Sequence, residues 1–170
     1  MTGRIFTADH HVYDLPPLLS WNVRHTGTVP CDSWSVTAVY QPEMLTVLRM
    51  AAGFAAIENG MTQLRGIVDE YTVELGSRGM TVTLSGRGYA ARLLDNESRP
   101  VTYELVTLRE LIRCHAEPYG ISCGAAADLR STVPYTAGVG ISQWKVISEF
   151  CRTYGGFLPR FAKTGELLAT

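Results

Sequence analysis

The closely spaced glycines of Gly86-Arg87-Gly88-Tyr89-Ala90-Ala91 are the first residues of this sequence whose types could do chemistry. In such a G-x-G-x-x-A pattern the glycines would let a pyrophosphate approach the backbone at a helix N-terminus. That loop belongs to the first strand of a parallel strand-helix-strand unit, however, and the strand expected before it, Met80 to Ser85, closes an antiparallel meander. The expectation is a strand-to-helix turn with Gly86 and Gly88 in backbone conformations that other residues disfavour, and no cofactor. Two acidic groups, Asp69-Glu70 and Asp95 with Glu97, could serve a hydrolase that holds carboxylates of unlike environment across a cleft. Spacing favours simpler roles: Asp95-Asn96 as a helix-ending turn, Asp69-Glu70 as a bulge or strand end.

A nucleophile-base set is no better supported. The sequence has no G-x-S-x-G elbow, and Cys114 and His115 are neighbours on a predicted helix, so they project in different directions. His10, His11 and His25 lack metal-ligand spacing. Cys31, Cys114, Cys123 and Cys151 stand far apart without a C-x-x-C pair, which reads as four reduced thiols. No catalytic residue and no metal site are expected.

Charge narrows the partners. Across 170 residues, 15 Lys+Arg against 16 Asp+Glu leave a net charge of -1, so no overall field draws the chain to nucleic acid or an anionic membrane. Its cations are arginines apart from Lys145 and Lys163, and arginine suits interfacial ion pairs, which hints at an assembly surface. The N-terminus lacks the features of a signal peptide and no apolar run reaches the length of a membrane span, so synthesis and folding in a cytoplasm are expected.

The elements that must position these residues follow from periodicity. Residues 1 to 20 show little. Strict alternation over Ser33 to Tyr40, with Trp34, Val36, Ala38 and Tyr40 on one face, predicts a half-buried strand. Pro42 and Gly53 bracket a short helix over 42 to 52. From Phe54 to Leu84 three antiparallel strands are expected, turned at Asn59-Gly60 and at Gly76-Ser77-Arg78-Gly79. Apolar residues sit on even numbers through Val68 and on odd numbers from Tyr71, so a bulge is predicted near Asp69. One or two helical turns over Gly88 to Leu94 follow. Thr107-Leu108-Arg109-Glu110 is a capping box opening a helix to about Ala116, with Leu105, Leu108, Leu111 and Ile112 inward. The stretch from Ser122 to Gly138 reads as a long, strand-containing excursion. A third helix runs from Ser142 to Tyr154, stopped by Gly155-Gly156, and a hairpin over Phe157 to Ala169 ends the chain. Strands first and helices later mean an α+β protein: an antiparallel β-barrel-like sheet with inserted helices, a β-rich part at 1–100 and a helix-containing part at 101–170.

Two resemblances add to this. Tyr135 to Gly155, with Trp144 early in its helix, is similar to the opening of a LysM peptidoglycan-binding module, although the turn Gly140-Ile141-Ser142-Gln143 lacks the usual acidic residue and a Pro159-containing hairpin replaces the second helix. A cell-wall-directed module, or less readily a wall hydrolase using Asp69 or Glu97, is the alternative function. The stronger resemblance lies in Gly66-Ile67-Val68-Asp69-Glu70, Ser85-Gly86-Arg87-Gly88 and Leu94-Asp95-Asn96-Glu97, continued by Ser142-Gln143-Trp144-Lys145 and Pro159-Arg160-Phe161. In order and spacing these motifs resemble the tail or baseplate hub proteins of phages and prophages of Gram-positive bacteria, from about Trp34 onward.

That resemblance implies a structural part of a virion tail that works by binding. It implies a homo-oligomer such as a trimer, with tail-tube, tape-measure or spike proteins as neighbours, and no enzymatic activity. The motif residues Gly66, Asp69, Glu70, Gly86, Arg87, Gly88, Leu94, Asp95, Asn96, Glu97 and Trp144 then have structural jobs, the corner at Asp95 to Glu97 being fixed by bonds to backbone amides. Chains of this kind continue past the final hairpin, so a truncated hub or an N-terminal fragment is expected.

Overall fold

Apolar alternation in the first half of the chain and helical caps in the second build two separate units, Met1–Gly88 and Tyr89–Thr170, in a computed structural model that describes residues 1–27, 30–77 and 79–170. Together they make an α+β fold.

The first unit is one sheet of strands β1 (Thr2–Thr7), β2 (Val12–Asp14), β3 (Leu18–Arg24), β4 (Ser33–Val39), β5 (Ala51–Glu58), β6 (Met61–Gly76) and β7 (Gly79–Gly88), with helix α1 (Met44–Arg49) between β4 and β5. Every neighbouring pair is antiparallel, in the order β2-β1-β5-β6-β7-β4-β3. Trp34, Val36 and Ala38 of β4 and Val82 and Leu84 of β7 are buried with Phe54, Leu64, Met44 and Leu48. Asn59 and Gly60, with φ of 51° and 76°, turn the β5–β6 hairpin, since both central residues of that turn need the left-handed region. Gly76 pairs with Gly79 at the second turn, whose Arg78 lies outside the described residues.

Strand β6 is bent. Its ladder with β7 shifts register between Val68 and Glu70, the bulge expected from the change of apolar phase. Before the bulge β6 pairs with β5 as far as Ile67; from Glu70 to Gly76 its ladder runs to β7 alone among the described residues. The sheet is therefore open, not barrel-like: its order is linear and no ladder joins β2 to β3 among the described residues. Other expectations also shift. The helix over 42 to 52 is shorter, because Ala51 already pairs with Thr7 and Gly53 with Phe6, which draws the chain into β5. Strands β1 to β3 occupy a region that shows little periodicity, since the inward residues of β1 are Gly3, Ile5 and Thr7, only one of them large and apolar.

The second unit contains α2 (Ala91–Leu94), β8 (Val101–Tyr103), α3 (Leu108–His115), a 3-10 turn at Glu117–Tyr119, β9 (Cys123–Ala126), β10 (Tyr135–Ala137), α4 (Gln143–Phe150) continued by a π-helical turn at Cys151–Gly155, β11 (Arg160–Phe161) and β12 (Leu167–Ala169). Strands β8 and β10 pair antiparallel, and β12 pairs antiparallel with β11 and parallel with β9. Its core gathers Leu93, Leu108, Leu111, Ile112, Val146, Ile147, Phe150, Cys151 and Leu167. The Thr107 hydroxyl accepts from the Glu110 amide while the Glu110 carboxylate accepts from the Thr107 amide, completing the expected capping box. Ser142 caps α4, and Gly156, at φ of 71°, ends its π-helical turn. Leu105, expected inward, precedes the capping box and is 54% exposed; the neighbouring Val106 takes the buried place.

Candidate functional site

Two motif segments distant in sequence meet at the bulge of the first unit. The Arg87 guanidinium donates twice to Asp69, Nε to Oδ2 at 2.8 Å and Nη2 to Oδ1 at 2.9 Å, and the neighbouring Ser85 hydroxyl donates to Glu70 at 3.0 Å. The acidic pair is thus held by groups of β7 and locks the kink of β6 to its neighbour. A bidentate guanidinium-carboxylate fork fixes geometry as well as adding attraction.

The glycines of the motif also sit here, for a reason other than the one expected. Gly86 and Gly88 lie inside β7 and have no positive φ. Their role is close approach. A β-carbon on Gly86 would collide with the Ile67 carbonyl oxygen and lie 2.9 Å from the Trp34 ring, and one on Gly66 would collide with the Arg87 carbonyl oxygen. The space freed is filled by Trp34, whose indole N–H donates to the Ile67 carbonyl at 3.1 Å and whose ring stacks on Phe54 at 3.8 Å between centroids. Strand β7 is antiparallel to both of its neighbours, so the parallel frame of a dinucleotide loop is absent around these glycines.

In the second unit Leu94 ends the single turn α2, half-buried, with Leu93 as the inward residue. At the corner the Asn96 side-chain amide donates to the Arg92 carbonyl at 2.7 Å, and the Gln143 side chain donates to the Glu97 carbonyl at 2.9 Å. Asp95 and Glu97 are exposed. Trp144 leans on Phe161 at 5.8 Å between centroids. Tyr135 is taken up by packing, its ring against Phe150 and Tyr154 and its hydroxyl donating to the Val146 carbonyl at 2.7 Å, and burial pushes that phenol up to about 12.

A buried polar network escaped the sequence reading. His115 is 5% exposed; its Nδ1 lies 2.6 Å from Oε1 of Gln143 and its Nε2 lies 3.0 Å from the Tyr103 hydroxyl. Gln143 spends its NH2 on the Glu97 carbonyl and the Tyr119 hydroxyl, so its oxygen must face His115, which puts the imidazole proton on Nδ1. Five segments of the unit are tied by these two side chains. No sequence pattern announces such a junction, because its members are polar residues of unrelated spacing.

Among the described residues no group of three or more His, Cys, Asp or Glu could hold a metal ion. Among the same residues no helix is long and apolar enough to cross a membrane. What the first unit does offer is edges. Along β3, Leu19 and Trp21 are exposed, Trp21 by 50%, and on the far half of β6 Tyr71 and Leu75 are exposed, Leu75 by 82%. Open strand edges carrying apolar side chains are pairing surfaces.

No protein-family model matches the chain, and no curated protein matches it in sequence. Solved structures do match in fold. The tail protein of Neisseria meningitidis MC58 superposes with a TM-score of 0.71 at 15% identity, over 98% of this chain and 50% of its own. The 43 kDa tail protein of prophage MuSo2 from Shewanella oneidensis gives 0.72 at 14% identity, over 98% and 53%. An Escherichia coli component of the type VI secretion system, itself described as structurally similar to the T4 tail proteins gp27 and gp5, gives 0.51 at 12% identity, over 88% and 47%. This chain spans about half the length of these structures, and both of its units share the fold of phage tail proteins.

Proposed function

We propose that this chain is a structural part of a phage or prophage tail, a hub-type subunit that assembles with copies of itself and with tail-tube, tape-measure or spike proteins and turns over no substrate. The observation that carries this reading is the fold likeness to two phage tail proteins over 98% of the chain, at identities too low for any shared residue pattern to be responsible. The build of the first unit supports it. The Asp69 and Arg87 fork and the glycine crossing stiffen one bend of a sheet whose outer strands remain available, which suits a frame that neighbours add to. Among the motif carboxylates, Asp69 is held in a bidentate fork by Arg87, a structural use that supports a frame.

The test is co-expression with phage tail-tube, tape-measure and spike proteins, followed by affinity capture and light scattering of the purified chain. Stable capture of a tube, tape-measure or spike protein, or a defined multimer of the chain, is expected. A chain that stays monomeric at high concentration and captures none of them overturns the proposal.

A further inference from the structure

Strand β6 continues past the edge of β5. From Glu70 onward its ladder is one-sided among the described residues, and Glu70, Tyr71, Thr72, Glu74 and Leu75 are exposed. The outer strand β3 of the same sheet is also one-sided, paired with β4 alone among the described residues, and Ser20, Trp21, Asn22 and Arg24 are exposed. Besides the outer strand β2, the described residues of the sheet thus present two bare backbone edges, and side chains along each alternate between an apolar and a polar side.

These edges match each other. Tyr71 lies opposite Leu84, Leu84 opposite Val36 and Val36 opposite Trp21, so the odd-numbered residues of both edges share the apolar side of the sheet. On the other side β6 presents Glu70 and Glu74, while β3 presents Arg24. Antiparallel pairing with Val23 opposite Tyr71 places Trp21 opposite Val73 and Arg24 opposite Glu70. Apolar then meets apolar, and cation meets anion, at every one of these positions. Strand direction also fits. Because β6, β7, β4 and β3 alternate in direction, the next β6 lies antiparallel to β3 when it points the same way as the first. The contact repeats without inverting the subunit, as a head-to-tail contact must.

We propose that copies of this chain join edge to edge, β3 of one against the Glu70 to Leu75 half of β6 of the next, continuing the sheet from subunit to subunit. This rests on the tail reading above and names the self-contact it requires. This half of β6 is bare because β5 begins at Ala51, level with the bulge at Asp69, and leaves no residue of its own beside Glu70 to Leu75. A polar side carrying Asn22, Ser35, Thr37, Thr72, Thr83 and Ser85 becomes continuous across the junction.

The test uses the full chain with exposed Cys31 and Cys114 replaced by serine, carrying Val23→Cys in one preparation and Tyr71→Cys in another. Directly opposed residues bring their β-carbons within about 5.5 Å, in reach of a disulfide bridge. Mixing the two under mild oxidation should give a covalent dimer across the edge, and each alone should give none. Arg24→Glu should weaken self-association about tenfold or more, and Glu70→Arg in the same chain should restore most of it. A multimer by light scattering that never cross-links overturns the edge pairing while self-assembly stands. A chain monomeric throughout also overturns the edge pairing, and capture of tail proteins in the co-expression experiment then decides the tail reading separately.

Discussion

Arg87 of β7 grips Asp69 of β6 by two hydrogen bonds of 2.8 and 2.9 Å, at the one point where the two strands fall out of register. The bulged residue is thus fastened by the strand it would otherwise slip against. Both side chains are about a third exposed, at 34% and 35%, so the pair is partly screened. Asp69→Asn or Arg87→Met should cost roughly 0.5–1.5 kcal/mol in urea unfolding. A double-mutant cycle should return a coupling of the same sign, and a coupling of zero would show that the bulge holds without the fork.

Gly86→Ala and Gly66→Ala are predicted to destabilise by more than about 2 kcal/mol, because the added methyl meets backbone oxygens that cannot step aside. Gly138→Ala is the control. A β-carbon there meets nothing within 4 Å, and the change should stay within about 0.5 kcal/mol. Equal effects at the three positions, measured by thermal unfolding, would refute close approach as the reason for these glycines.

These two predictions also mark what the sequence could disclose. Local signals were legible: the switch of apolar phase between Val68 and Tyr71 located the bulge, Asn59-Gly60 the hairpin and Thr107 to Glu110 the helix start. Signals that depend on register were not. Asp69 and Arg87 are 18 positions apart, and only the alignment of β6 on β7 brings them together. The glycines were visible but their cause was not, since a strand crossing crowded by Trp34 and a turn needing positive φ call for the same residue. Openness of the sheet was hidden too, because short apolar strands with bends serve barrels and open sheets alike.

Removal of the capping hydroxyl by Thr107→Ala should cost about 1 kcal/mol, within the range for lost N-caps. Glu110 adds a pH signature. The Thr107 amide, and then its hydroxyl, hold the Glu110 carboxyl below the ordinary glutamate range, so the folded state favours its ionised form. That contribution is present above the ordinary value of 4.5 and is lost as pH falls through the lowered one. Acid titration of the wild type and of Glu110→Gln, followed by circular dichroism, should converge below that window and diverge above it. Parallel curves would disprove the linkage.

Gln143→Ala should be among the most damaging polar changes in the second unit, at about 2–4 kcal/mol. It leaves the Nδ1–H of His115 and the Glu97 carbonyl without their partners and takes one from the Tyr119 hydroxyl. Tyr103→Phe removes one bond, to His115 Nε2, and should cost about 1 kcal/mol. Guanidinium titration of both variants checks the ranking. A Gln143 variant no weaker than the Tyr103 variant would mean that the network does not hold these segments together.

The four thiols should report the packing of the chain by their order of reaction. Cys31 and Cys114 are exposed, Cys123 is half-buried and Cys151 is fully buried against the α4 core. The thiolate is the species that reacts, and burial raises the Cys123 thiol above its ordinary value and pushes Cys151 up to about 12. With an aromatic disulfide reagent near pH 8, two equivalents should therefore react fast, a third more slowly, and the fourth only as the second unit opens. Because Cys151 waits on opening, its rate should rise with denaturant while the first two rates stay nearly flat. Gln143→Ala should speed Cys151 alone, since it loosens the junction beside α4 and leaves the exposed thiols as they were. Four thiols reacting together in the native protein would contradict the burial of Cys151.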